Sequence, residues 1–281
     1  MALDLPPVEV RIGARDAMLY ALSVGAGRDP LDPWLLRFVY EKNLAVLPGY
    51  AMVLGRQTDW VSDPLFGITL SGMVNGGQRL HSHRPLRRGE LLVAHNHVRG
   101  VTDIGRTGAL ILMERILRDS EGVEVAQVDT HLMCRSDGGG GSLGTSPEPF
   151  VAVPDREPDE SFPLAVPVDA ALLFRLNGDY NPIHAVPTLA QAAGFPVPIL
   201  HGQCSYGMVL VSLAHRRRQG GRARLISTHV RFSAPTLPGE RLDVDVWREG
   251  PDKEVFRVRS HGRGQIVLDR GYVEYGEGEW P

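Results

Sequence analysis

The chain is 281 residues long, 43% hydrophobic and 22% charged, with a formal net charge of -3. This composition fits a folded globular protein with one large or two modest cores, excludes a disordered chain, and gives no bulk electrostatic reason to expect nucleic acid or an anionic membrane as partner. Cys134 and Cys204 are the two cysteines and lie far apart, so neither a disulfide framework nor a thiolate metal site is expected, and a reducing compartment fits best.

The opening MALDLPPVEVRIG has no basic stretch followed by an apolar run, no later window approaches the apolar length of a membrane span, and the final GEGEWP carries no peroxisomal tripeptide. The expected location is therefore the cytoplasm. Asp32 and Pro33 open WLLRFVYEKNLAVL as an N-cap with proline in the first turn, which predicts an amphipathic helix. Leu91 to Val101, Ala109 to Arg118 and Val123 to Cys134 then read as strands separated by glycine-containing turns. The glycine- and proline-rich stretch from Ser136 to Pro149 is too polar to bury and reads as a flexible linker; its Gly138 to Gly141 run lacks the Lys-Ser/Thr of a phosphate loop. Beyond it, Asp169 caps a short helix AALLFRL, another short helix covers Leu189 to Ala193, and Gly202 to Arg218 forms a long buried helix that stops at Gly220 and Gly221. Leu225 to Phe232, Leu242 to Trp247, Val255 to Ser260 and Ile266 to Val273 alternate well enough for half-buried antiparallel strands.

One signature occurs twice. Pro85-Leu-Arg-Arg-Gly89-Glu90 and Pro235-Thr-Leu-Pro-Gly239-Glu240 share Pro, Gly and Glu at a constant offset of 150 residues, which a duplication explains economically. The chain then divides into an amino-terminal domain at 1–135, a Gly/Pro-rich linker at 136–160 and a carboxyl-terminal domain at 161–281.

The chemistry concentrates in the second half. The chain leaves the AALLFRL helix through Asn177-Gly178 into Asp179-Tyr180-Asn181-Pro182-Ile183-His184, placing an acid and an imidazole five positions apart on a loop stiffened by proline. Such spacing alone is more often a cap and a surface histidine. Converging on one water, however, the pair could remove one proton and return another. Downstream, Phe195-Pro-Val-Pro-Ile-Leu-His201-Gly202 runs extended into the long helix. The N–H groups and positive dipole end at Gly202 suit a developing oxyanion, and the absent side chain lets a carbonyl approach.

The segment FRLNGDYNPIHAVPTLAQAAGFPVPILHGQCSYG, from Phe174 to Gly207, resembles the signature of R-specific, type-two enoyl-CoA hydratases and MaoC-like dehydratases. DAMLYALSVGAG from Asp16 and FVYEKNLAVLPGY to Tyr50 are similar to the amino-terminal half of the hydratase unit in peroxisomal multifunctional enzymes of beta-oxidation. The resemblance implies an α+β double hot-dog fold, two antiparallel sheets each wrapping a helix, with an acyl-CoA thioester between the halves. It implies reversible hydration of a trans-2-enoyl-CoA to the (3R)-3-hydroxyacyl-CoA, with Asp179 and His184 activating water, Asn181 supporting them and Gly202 as oxyanion donor. Tyr180, Pro182, Ile183 and Phe232 would line the substrate. Asn75 and Gly76 stand where similar enzymes carry a His-Gly that contacts CoA, and Arg106 stands in for a phosphate-binding lysine. No cofactor and no metal are implied, and a homodimer is expected. Subtracting 150 from the acid and histidine positions gives Asp29 and Trp34, so a single active site per chain is expected, the first half making room for a medium, long or bulky acyl group.

His81-x-His83 and His95-x-His97 invite zinc but offer no third ligand at recognisable spacing, so surface histidines on strands are the better reading. The basic run His215 to Arg218 complements a helix C-terminus more simply than it binds a CoA phosphate. Three other functions remain open on the same residues: a catalytically silent acyl-CoA-binding subunit, a dehydratase for a specialised sterol or polyketide acyl thioester, and thioester hydrolysis on the same fold.

Overall fold

The computed structural model describes residues 3–218 and 224–278. In chain order its strands and helices are β1 (Leu3–Asp4), β2 (Val8–Arg11), α1 (Ala14–Ser23), α2 (Pro33–Leu36), β3 (Met73–Ser82), β4 (Leu91–Asp103), β5 (Ala109–Arg118), β6 (Glu124–Cys134), β7 (Leu143–Gly144), β8 (Glu160–Ala165), α3 (Ala170–Phe174), α4 (Pro187–Ala192), α5 (Gly202–Arg217), β9 (Arg224–Phe232), β10 (Arg241–Arg248), β11 (Lys253–Ser260) and β12 (Ile266–Gly276). All strands pair antiparallel in one twelve-stranded sheet, whose main path runs β1-β4-β5-β6-β3-β9-β12-β11-β10-β8, with β2 and β7 each paired to β4 off that path. Two half-sheets meet at β3 and β9, where Gly77 faces Arg231 and His81 faces Ser227. The arrangement is the expected double hot-dog fold. Among the described residues no helix is long and apolar enough to cross a membrane.

The duplicated turn does the same work in both halves. Gly89 and Gly239 sit at φ 82 and 83, a region glycine enters without penalty. The N–H of Gly89 donates to the Ile12 carbonyl and that of Gly239 to the Val166 carbonyl. The Glu90 carboxylate accepts from the Arg87 N–H, and the Glu240 carboxylate from the Leu237 N–H. These bonds tie each turn to the strand entering its own half.

The halves differ in what their sheets enclose. α5 buries most of its length, including Tyr206, Val209 and Leu210, against residues of both halves in one continuous core. In the first half no comparable helix forms. The expected helix from Pro33 stops after four residues although Asp32 does cap it, accepting from the N–H groups of Trp34 and Leu35. Phe38, Val39 and Tyr40 are poor helix propagators, Phe38 is drawn fully into the core, and Asn43 turns the chain at φ 56. Residues 48–72 follow as four short 3-10 turns.

Other expectations shift by smaller amounts. Asp169 precedes α3, but its side chain makes no capping bond. The glycines proposed to end α5, Gly220 and Gly221, lie outside the described residues. The linker is ordered against the sheet: the Asp103 carboxylate accepts the N–H groups of Gly105, Gly139 and Gly141, and β7 pairs with β4. Gly138 lies so close to Gly105 that a Cβ would meet its carbonyl oxygen at 1.9 Å. Farther along, Arg79 donates to the carbonyls of Glu148 and Pro149 at 2.8 and 2.7 Å, with its guanidinium over the Phe150 ring. Within the glycine run Gly138 serves close approach, while Gly139 and Gly141 take positive φ, 92 and 83, that brings their N–H groups onto Asp103.

Candidate active site

The acid–histidine loop leaves α3 through a 3-10 turn, Arg175–Asn177, and Gly178 at φ 98. Asn181 then caps a second turn, Pro182–His184, by accepting the Ile183 N–H at 3.2 Å, while its own N–H donates to Asp179 Oδ1 at 3.3 Å. The proline and this Asx geometry hold the loop so that Asp179 and His184 face one cavity of about 780 Å³.

His184 is buried, and its Nδ1 lies 2.8 Å from the Ile199 carbonyl oxygen. A carbonyl accepts only, so Nδ1 carries the proton and Nε2 keeps its lone pair. Burial holds the imidazole below its ordinary pKa despite that bond and the nearby Asp179 charge, so it is neutral at pH 7. Burial alone would raise the Asp179 carboxyl, but the guanidinium of Arg56, whose Nη1 lies 3.1 Å from Oδ2, and His201 outweigh it and hold the carboxyl at about 2. Arg56 also donates to the Gly178 carbonyl and to Gln203 Oε1, both at 3.4 Å. It thereby bridges the two halves.

His201 carries no sequence signal that marks it as a site residue. Its ring stacks on that of His184 with centroids 3.6 Å apart, and its Nε2 donates to the Asp179 carbonyl at 3.1 Å. Burial, with His184 beside it, lowers it to about 3. It acts as a neutral plate holding loop and imidazole in place. Arg56, Gln203, Asn96 and Arg115 also line the cavity and escape the sequence reading. For Arg115 a signal exists: it interrupts the inward apolar alternation of β5.

Gly202 opens α5, where a helix's leading N–H groups lack a preceding turn to accept them; those of Cys204 and Ser205 donate to the His201 carbonyl. A Cβ there would meet the Phe232 ring at 2.8 Å, so glycine is required for that ring to lie over the helix start. Phe232, Tyr180, Pro182, Ile183 and Asn75 all border the cavity with Asp179 and His184. Gly76 does not border it; it sits in a β3 bulge against the His131 carbonyl. Arg106 lies on an exposed turn between β4 and β5, away from the cavity wall. Gly25 at φ 90 ends α1 as Gly178 ends the turn after α3. That match makes Ala26 and Leu31, rather than Asp29 and Trp34, the first-half counterparts of Asp179 and His184; the first half still offers no acid–histidine pair there.

Ligand atoms of Asp179, His184 and His201 lie within 4.8 Å of one another, close enough to ask whether they hold a metal. Arg56 already occupies Asp179, and a cation beside that guanidinium would be repelled. The four strand histidines do not gather either. His81 and His83 stack edge-to-face at 4.6 Å, and His97 pairs with Asp4. His215, Arg216 and Arg217 at the end of α5 pair with Asp32, Glu160 and Glu254.

Comparison with known proteins places this geometry. Residues 149–269 match the MaoC like domain and residues 11–136 the MFE-2 hydratase 2 N-terminal domain. The chain is 35% identical to 3-hydroxyacyl-thioester dehydratase Y of Mycobacterium tuberculosis, across 93% of this chain and 92% of the relative. It is 31% identical to the peroxisomal enoyl-CoA hydratase 2 of Arabidopsis thaliana, across 98% and 93%. A MaoC-like dehydratase from Phytophthora capsici superimposes with a TM-score of 0.83 at 30% identity, covering 97% of this chain and 96% of that one. The fold and these relatives define a hydro-lyase of the double hot-dog class. Within it, the chain belongs to the MaoC-like dehydratase family, in the form that joins an MFE-2 hydratase 2 N-terminal domain to a MaoC like domain.

Proposed function

We propose that this enzyme adds water reversibly across trans-2-enoyl-CoA thioesters to give (3R)-3-hydroxyacyl-CoA. The observation that carries the reading is the convergence of Asp179, neutral His184 and the start of α5 on one cavity. The substrate carbonyl accepts from the Gly202 N–H, which draws electron density from C3 and stabilises the enolate-like transition state. A water rests between the Asp179 carboxylate and His184 Nε2. His184 takes one proton as the hydroxyl adds to C3, the carboxylate stabilises the imidazolium, and the same proton passes to C2. The hydroxyl and the proton arrive from one face, so addition is syn. No metal or cofactor takes part in this scheme, and the working assembly is a homodimer, to be read by light scattering.

The test follows the loss of enoyl-thioester absorbance across a series of chain lengths, with chiral analysis of the product. Asp179→Asn and His184→Ala, each purified folded, should lose roughly a hundred- to ten-thousandfold in kcat/KM. Undiminished turnover in either variant, or an S-configured product, overturns the reading. Release of free CoA would point to thioester hydrolysis, and tight CoA binding without turnover to a silent subunit.

A further inference from the structure

The cavity wall carries a charge that the proposed hydration does not use. β5 turns Ile111, Met113, Arg115 and Leu117 inward in alternation, so Arg115 occupies a position where the pattern calls for an apolar side chain. It is only 5% exposed and borders the same cavity as Asp179 and His184. Its Nη2 donates to the Ala51 and Met52 carbonyls at 3.1 and 2.7 Å, and its Nε is buried without an acceptor. The cavity wall holds two carboxylates: Asp179 is taken by Arg56, and Asp59 makes no ion pair with Arg115. Among the described residues, Arg115 therefore has no counter-ion. Burial, with Arg56 adding repulsion, lowers it to about 9, which leaves it charged at pH 7. A buried guanidinium without a partner anion is among the least favourable arrangements a protein interior can hold. Its planar fork of donors suits a carboxylate.

We propose that Arg115 anchors a carboxylate at the far end of the acyl group, making ω-carboxylated 2-enoyl thioesters preferred substrates over methyl-terminated ones of equal length. The idea rests on the hydration reading for its reaction but on Arg115 alone for its selectivity. The carboxylate would enter past Asp179, extend along the wall that includes Met113, and supply the missing charge in a site already shielded from water. Discrimination would be strongest at the chain length that brings the terminal carboxylate against Arg115.

The experiment measures kcat/KM for pairs of trans-2-enoyl-CoAs matched in length, one ending in methyl and one in carboxylate. The wild-type enzyme should favour the carboxylate at one or more lengths by about tenfold or more. Arg115→Met should bring that ratio to about one, and Arg115→Lys should retain part of it. Melting curves show whether each variant folds; if Arg115→Met does not, the wild-type series and Arg115→Lys decide. No preference at any length, or a preference that survives Arg115→Met, overturns the proposal. Turnover of crotonyl-CoA separately tests hydration itself. Should no thioester react, calorimetry with saturated acyl-CoA and ω-carboxyacyl-CoA still decides the anchor, and equal affinities for the two would refute it.

Discussion

Gly49 lies in the first turn of the segment that leads to β3, and Gly202 opens the segment that leads to β9, yet the two segments fold in opposite ways. After Gly202 the chain runs as one buried helix, α5, free of proline. After Gly49 come Gly55, Pro64, Gly67 and Gly72, residues that break helices, and the chain folds into short 3-10 turns. The sheet around α5 is filled, whereas the other sheet is left partly empty, and Arg56, Gln57 and Val61 from those turns line the cavity. The half that lacks a long central helix thus lends its turns to the wall of the cavity that Asp179 and His184 face.

The contrast can be broken at its two glycines. A Cβ at Gly202 would press on the Phe232 ring at 2.8 Å, and one at Gly49 on Tyr20 Oη at 2.6 Å. Gly202→Ala should displace the proposed oxyanion donor and lower kcat/KM for crotonyl-CoA by about tenfold to a hundredfold, with a small change in melting temperature. Gly49→Ala should instead cost about 1–3 kcal/mol of stability through overpacking, with little effect on turnover. Denaturant melts and initial rates on both variants check this. A Gly49→Ala enzyme that keeps its stability and loses turnover would mean the halves are not divided between containment and chemistry.

The same division explains which parts of the molecule the sequence discloses. The second half is legible because most of its signals are local: Gly178 and Pro182 act within a few residues of where they stand, Gly202 opens a helix at its own position, and the long strands follow from alternation. The first half is legible only in its sheet. The helix expected from Pro33 has a correct cap, but Phe38 and Asn43 obey tertiary packing rather than propensity. Arg56 reaches Asp179 across 123 residues, and no spacing rule anticipates a contact between halves. His201 is visible beside Gly202, yet its role depends on stacking against His184, which only the folded loop creates.

A second contrast compares the halves under acid. Burial lowers His201 to about 3, beside the Asp179–His184 loop, and lowers His131 to about 4 on β6 and His229 to about 3 at the seam. In the unfolded chain each takes a proton near pH 6.5. Below that pH the unfolded state binds more protons than the folded one, so stability falls as pH drops, until the folded-state values are reached. Each histidine contributes a slope of at most about 1.4 kcal/mol per pH unit. Chemical denaturation should show near-constant stability above pH 7 and a steep decline between about pH 6 and pH 4. His131→Gln and His201→Gln should each flatten that decline. If His201→Gln alone flattened it, acid sensitivity would belong to the catalytic half and not to the fold as a whole.

The smallest effect concerns the duplicated turn, where the halves have stayed alike. The Glu240 carboxylate accepts from Arg263 at 2.8 Å, from the Leu237 N–H at 2.8 Å and from Ser260 Oγ. Glu90 accepts from Arg84 and from the Arg87 N–H. Burial opposes ionisation of Glu240, but Arg263 and Ser260 overcome it and hold the carboxyl below its usual range. Exchanging either glutamate for glutamine keeps the shape and removes the charge, so Glu90→Gln and Glu240→Gln should each cost about 1–2 kcal/mol. The informative quantity is the double variant. Additive losses would mean that each turn serves only its own half. A deficit or excess beyond about 0.5 kcal/mol would show that the β3–β9 seam transmits strain between them, and that the container and the chemistry are coupled through the sheet they share.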